Sequence, residues 1–190
     1  PVKSVKELIA IAKAHPGELV FASTGAGSNT HLALELFRDQ AGIKVTHVPY
    51  KGAGPAVTDV IGGQAQAMFA DLPVLTPHIK SGRLRALAVA GFDRTPMFPE
   101  VPALKELGFP RFNARQWYAL FAPAGTPREI VMRLNEAVRQ AVAAPDLRDR
   151  LTEIGADVFV LSPEEFAVFL KSEIDRWQII VKKYGIVLDP

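Results

Sequence analysis

The sequence predicts an α/β protein built on a parallel sheet, and three observations carry that expectation. Short apolar runs at Leu19 to Ala22, Val45 to Val48, Ala65 to Phe69 and Leu84 to Ala90 alternate with segments whose apolar residues recur at helical spacing. The first three runs each lead through a short loop of Gly, Ser, Pro or Asp into a helix start, not into a hairpin turn. The fourth, Leu84-Arg-Ala-Leu-Ala-Val-Ala90, is nearly continuous in small apolar residues, as a strand covered on both faces is. Repeated β-α-β units imply right-handed crossovers that place helices on both faces of the sheet.

Composition narrows the function classes. A chain of 190 residues, 48% of them hydrophobic, holds one large domain or two small ones. Its 22 basic residues are matched by 20 acidic ones, and no basic run reaches five, so nucleic acid is not an expected partner. The absence of cysteine removes disulfides, thiolate metal sites and cysteine catalysis. No apolar stretch has the ~18 residues of a membrane span, so the protein is not expected to be membrane-embedded. The N-terminus lacks signal-peptide anatomy, and any export signal lies outside this chain.

Taken in order, Ser4-Val-Lys-Glu7 is a capping box, and Val5, Leu8, Ile9 and Ala12 form one side of a helix that His15-Pro-Gly17 ends. A strand with Val20 and Phe21 follows. Gly25 and Gly27 let the backbone turn, and Ser28 is placed to cap a helix from Asn29 to about Gln40. Strand 45–48 leads to a helix over 55–62 with Pro55 at its first position, and strand 65–69 to a helix over 73–80 with Pro73 likewise. After strand 84–90, Pro96, Pro99 and Pro102 mark a loop of fixed path, and residues 109–116 resist assignment. Trp117 to Ala122 reads as a strand. Thr126-Pro-Arg-Glu129 is a second capping box with Pro127 at the first helical position, and Pro145 opens a further helix. Val158 to Leu161 reads as a short strand before a third box, Ser162-Pro-Glu-Glu165. The last helix carries an apolar stripe of Phe166, Leu170, Ile174, Trp177, Val181 and Tyr184.

The candidate site is an anion site. In a parallel sheet the loops after strands one, two and three leave from the same edge, where open α/β folds bind ligands. A helix start aims unpaired N–H groups and the positive end of its dipole at the loop, which favours a carboxylate or phosphate. Around the first loop stand Ser23, Thr24, Gly25, Gly27, Ser28 and Thr30, with His31 one turn into the helix, placed either to contact an anion or to bond a neighbouring strand. Tyr50, Lys51, Gly52 and Ala53 form the second loop and Asp71 the third. Catalysis and metal binding are not expected: there is no Gly-x-Ser-x-Gly elbow, no pair clearly held for proton transfer, and the four histidines are scattered. Gly25-Ala-Gly27 resembles a dinucleotide loop, but Thr30 replaces the third glycine and no acid ends the next strand, which leaves a nucleotide-binding domain as a remote alternative.

The halves are unequal. Residues to about 113 contain four strands, whereas those from about 117 contain only two beside three capped helices, and a two-stranded sheet rarely stands alone. The expected domains are 1–113, an α/β ligand-binding lobe, and 114–190, part of another lobe ending in a long amphipathic helix.

Laid out this way, the chain resembles the periplasmic solute-binding proteins of tripartite tricarboxylate transporters, the TctC or Bug family. The matching residues are Lys6-Glu-Leu8, Ser23-Thr-Gly-Ala-Gly-Ser28 with His31-Leu32, Val48-Pro-Tyr-Lys-Gly52 with Pro55-Ala56, and Pro77-His78-Ile79. Further matches are Gly82 with Leu84-Arg-Ala-Leu-Ala-Val89, Val101-Pro102, Trp117, Phe121-Ala-Pro-Ala-Gly-Thr-Pro127 and Ser162-Pro-Glu-Glu-Phe166. The resemblance implies a type II periplasmic-binding-protein fold of two lobes closing on a small organic acid. Here the second lobe would be nearly whole, and the first would lack its opening β-α-β. It implies that Ser23, Thr24, Gly25, Ser28 and Thr30 bind one carboxylate, that Tyr50, Lys51, Gly52 and Ala53 line the second loop, and that Asp71 serves the third. In many members an acid directly follows the Phe69 equivalent; here that place is Ala70. The implied role is a non-enzymatic receptor in the periplasm, without cofactor, that delivers a carboxylate to the transporter's membrane components. The alternative is a truncated paralogue acting as an interaction module, in which a homodimer makes up for the missing segment.

Overall fold

The computed structural model describes residues 2–91, 93–156 and 158–186, so Pro1, at the start of the first expected domain, and residues 187–190, at the end of the second, lie outside the described residues. It divides into two units, Trp117–Ile179 being one and the remaining described residues the other. Among the described residues no helix is long and apolar enough to cross a membrane.

The first unit opens with α1 (Val5–Ala14), where Ser4 Oγ accepts the Glu7 N–H and the Glu7 carboxylate accepts the Lys3 N–H. Strands β1 (Val20–Ser23), β2 (Thr46–Pro49) and β3 (Ala67–Met68) then alternate with helices α2 (Asn29–Ala41), α3 (Ala53–Ile61) and α4 (Leu72–Lys80). The sheet is parallel in the order β2-β1-β3, with Phe21 opposite His47 and Ala67.

Side chains alternate across a strand, so β1 sends Phe21 and Ser23 to one face and Val20 and Ala22 to the other. On the first face Phe37 of α2 lies against Phe21, Phe69 and Phe109, with ring centroids 6.5, 5.8 and 5.4 Å away, and Phe69 stacks on Phe112 at 5.9 Å. On the second face Ala22, Ala56 and Ala65 form a small-residue core backed by Val20, Tyr50, Val60 and Met68. Helices thus cover both faces, as an α/β fold with a parallel sheet demands. Gly42 ends α2 at φ +60°, a left-handed conformation that costs glycine little.

The second unit contains α5 (Arg128–Ala143), α6 (Pro145–Glu153) and most of α7 (Pro163–Tyr184). The box at the start of α7 is complete: Glu165 N–H donates to Ser162 Oγ, and Ser162 N–H donates to the Glu165 carboxylate, which lowers its pKa. Trp117 donates its indole N–H to Glu173 and packs edge-on against Phe166 and Phe169.

Several expectations need correction. Residues 84–90 form no strand; Val89 makes a parallel bridge to Ala103, with Val89 N–H donating to Pro102 O and Leu104 N–H to Val89 O, and Ala90 O accepts the Ala114 N–H. Residues 117–122 and 158–161 are not strands either, and Tyr118, Leu120 and Phe121 are 80, 80 and 68% exposed. The reason is shared: an apolar run becomes a strand only when another edge takes up its N–H and C=O groups. The Thr126 box does not form. Pro127 occupies the N-cap and Thr126 Oγ1 donates backwards to Pro123 O. Pro55 and Pro73 sit at the third and second helical positions instead of the first, which their missing N–H tolerates equally within the first turn.

Candidate anion-binding site

All three strands end at one edge of the sheet, and each hands the chain to a helix there, so the starts of α2, α3 and α4 follow adjacent strands. The first two loops are tied together by backbone bonds, Tyr50 N–H to Ser23 O and Gly52 N–H to Thr24 O, both 3.0 Å.

The β1–α2 loop is built from hydroxyls. Ser28 is the N-cap of α2, accepting the His31 N–H at 3.3 Å and donating to Gly25 O at 2.7 Å. Thr30 Oγ1, on a buried side chain, accepts the Thr24 N–H at 2.9 Å and lies 3.0 and 2.9 Å from the hydroxyls of Thr24 and Ser28. Gly27 turns the chain at φ +71°, where a side chain is disfavoured. Its N–H does not face outward; it donates to His31 Nδ1 at 3.0 Å. The N–H groups of Asn29 and Thr30, at the first two positions of α2, have no intrahelical acceptor.

The second loop turns at Gly52, whose φ of +104° starts α3 without a side-chain cap, leaving the first amides of α3, at Ala53 and Gly54, without intrahelical acceptors. Tyr50 is half-buried. Its ring packs on the Ala22 cluster, and its hydroxyl donates to Asp59 at 2.8 Å, a bond that raises the phenol pKa. Lys51 is exposed. Asp71 is the N-cap of α4, its carbonyl accepting the N–H groups of Val74 and Leu75. The structure therefore joins the first two loops directly by backbone bonds, and the third leaves from the same sheet edge.

Two histidines sequence spacing left apart meet below the first loop. His31 and His47 are stacked, with centroids 3.9 Å apart and planes 16° from parallel. Burial, then the neighbouring His31, lowers the His47 pKa to about 4. His47 Nε2 lies 2.7 Å from Ser23 Oγ, so a Ser/His contact does exist where none was expected. Ser23 is 0% exposed, and its hydroxyl also donates to Gly25 O at 3.1 Å. Among the described residues no group of three or more His, Asp or Glu side chains is placed to hold a metal ion. The signal that was missed is strand register: setting His47 opposite Phe21 puts it on the α2 face beside Ser23.

Comparisons with known proteins fit this geometry. The family described as "Tripartite tricarboxylate transporter family receptor" matches residues 1–186. Protein BugT of Bordetella pertussis is 40% identical over 185 residues, which is 97% of this chain and 57% of BugT. The solved structure of Rhodopseudomonas palustris Rpa4515 with adipate superposes with a TM-score of 0.91 at 35% identity, covering 100% of this chain and 63% of that one. MatC (Rpa3494) from the same organism, with bound malate, gives 0.83 at 34% identity, covering 95% of this chain and 63% of MatC. The chain thus spans about three fifths of the length of each of these relatives.

Proposed function

Because this chain belongs to the tripartite tricarboxylate transporter receptor family, we propose that it is the ligand-holding part of a periplasmic receptor that binds a small dicarboxylate and delivers it to the transporter's membrane components. One observation carries the reading. Solved relatives at 35 and 34% identity hold adipate and malate, and this chain sets helix starts after three adjacent parallel strands on one sheet edge. One carboxylate lies against the amides of Asn29 and Thr30 and the hydroxyls of Thr24, Ser28 and Thr30. Ala53 and Gly52 line the second loop, Lys51 faces the distal carboxylate, and Asp71 borders the third loop. Hydroxyl hydrogens rotate to suit a guest, which lets the Thr24–Ser28–Thr30 cluster turn donors toward it.

Magnitudes indicate which term dominates. A helix dipole contributes about 0.3–1 kcal/mol to an exposed anion, whereas each hydrogen bond to a charged group is worth about 1.5–3 kcal/mol. Two or three amides therefore outweigh the dipole, and loop geometry sets affinity.

Isothermal titration of the chain with adipate, malate, an acidic amino acid and a nucleotide tests this. Binding of a dicarboxylate without turnover is expected. Binding of the nucleotide alone, or chemical turnover, contradicts it. A second reading, an interaction or dimerisation module, is favoured by the exposure of Tyr118, Leu120 and Phe121. Light scattering separates the two, a dimer supporting the second.

A further inference from the structure

The stacked imidazoles beneath the β1–α2 loop do work that the carboxylate reading leaves out. Register places His47 on the α2 face, and His31 in the first turn of α2 meets it there. Each ring grips one turning point of the loop. His31 Nδ1 accepts the Gly27 N–H at 3.0 Å. His47 Nε2 lies 2.7 Å from Ser23 Oγ, and that hydroxyl contacts both the carbonyl of Gly25 at 3.1 Å and its N–H at 3.3 Å. The backbone that presents amides to a guest is thus fixed from below.

We propose that His31 is a positioning residue for the anion loop: its unprotonated Nδ1 holds Gly27, and protonating the ring frees the loop and weakens carboxylate binding. The proposal rests on the receptor reading above. An imidazole nitrogen accepts a hydrogen bond only while it carries no hydrogen. Once protonated, Nδ1 meets the Gly27 N–H donor to donor. The titratable and charged groups facing the two rings are Glu35 and Arg38 from α2 and each ring's partner. Glu35 Oε1 is 3.7 Å from His31 Nε2, and the other Glu35 oxygen pairs with Arg38 at 2.7 Å. A carboxylate there favours the ring hydrogen on Nε2, which leaves Nδ1 bare for Gly27. With its pKa lowered to about 4, His47 stays neutral over the range where histidine commonly titrates, so its contact with Ser23 is kept there.

The test follows the Gly27 amide and the His31 ring by NMR in the 190-residue chain from pH 8 to 5. The Gly27 signal is expected to move with the midpoint of the His31 ring, and adipate affinity to fall with the same midpoint. H31N, which offers a non-titrating oxygen near the Nδ1 position, is expected to keep the Gly27 signal and flatten both profiles. H31L is expected to weaken adipate about tenfold at pH 8, the upper worth of one hydrogen bond, and if H31L fails to fold, H31N alone decides. A Gly27 amide indifferent to His31 titration, or an H31N profile unchanged from wild type, overturns the proposal. Adipate that fails to bind at any pH overturns the receptor reading instead, while the Gly27 titration still judges the clamp.

Discussion

The two units use the same kind of helix to different ends. In the first, α2 and α3 press amphipathic faces onto the sheet, and Phe37, Leu34 and Ala56 are 2, 0 and 0% exposed. In the second, α5 and α6 are well formed yet contain no buried residue, and Val168 and Leu134 are 73 and 51% exposed. Helices satisfy their own backbone groups, so capping and propensity suffice to form them. A strand depends on a neighbour. An apolar pattern is a demand for a partner: the first unit supplies one for β1, β2 and β3 but no strand pairing for 84–90, and 117–122 and 158–161 of the second unit form no strand.

Core deletions separate the two units most sharply. Phe112→Ala, at a side chain with 0% exposure, is expected to cost about 3–5 kcal/mol in urea unfolding. Phe121→Ala, at 68% exposure, should cost well under half as much. Equal losses would mean that the second unit buries more than it does here.

Acid should act on the first unit next. The His47 pKa is lowered to about 4, below its unfolded value, so the unfolded chain binds the proton more readily. The stability due to neutral His47 is therefore present above pH ~6.5 and is lost as pH falls toward 4. Urea midpoints measured over that window should drop, and H47N should flatten the drop.

Caps give a smaller effect and test the second unit. Ser162→Ala removes the oxygen that accepts the Glu165 N–H and should cost about 1 kcal/mol, read as lost helical circular dichroism on heating. Thr126→Ala should cost less, because its hydroxyl caps no helix.

What could be read from the sequence follows the same division. The boxes at Ser4 and Ser162 were legible because capping is local. Thr126 misled because Pro127 took the cap position. The runs at 84–90, 117–122 and 158–161 were recognisable as apolar but not as lying outside the sheet, since strand pairing belongs to two segments at once. At the site, the hydroxyls and glycines of the first loop stand in one short stretch and were evident. The His31–His47 stack was not, because it depends on β1–β2 register, and neither was the spending of the Gly27 amide on His31.

In the proposed receptor, helix starts after adjacent parallel strands surround one carboxylate guest. Titrating adipate into the nitrogen-15-labelled chain tests it most directly. Amide shifts at Asn29, Thr30 and Ala53 that saturate together are expected; shifts confined to Trp117–Ile179, or none at all, would rule out such a site.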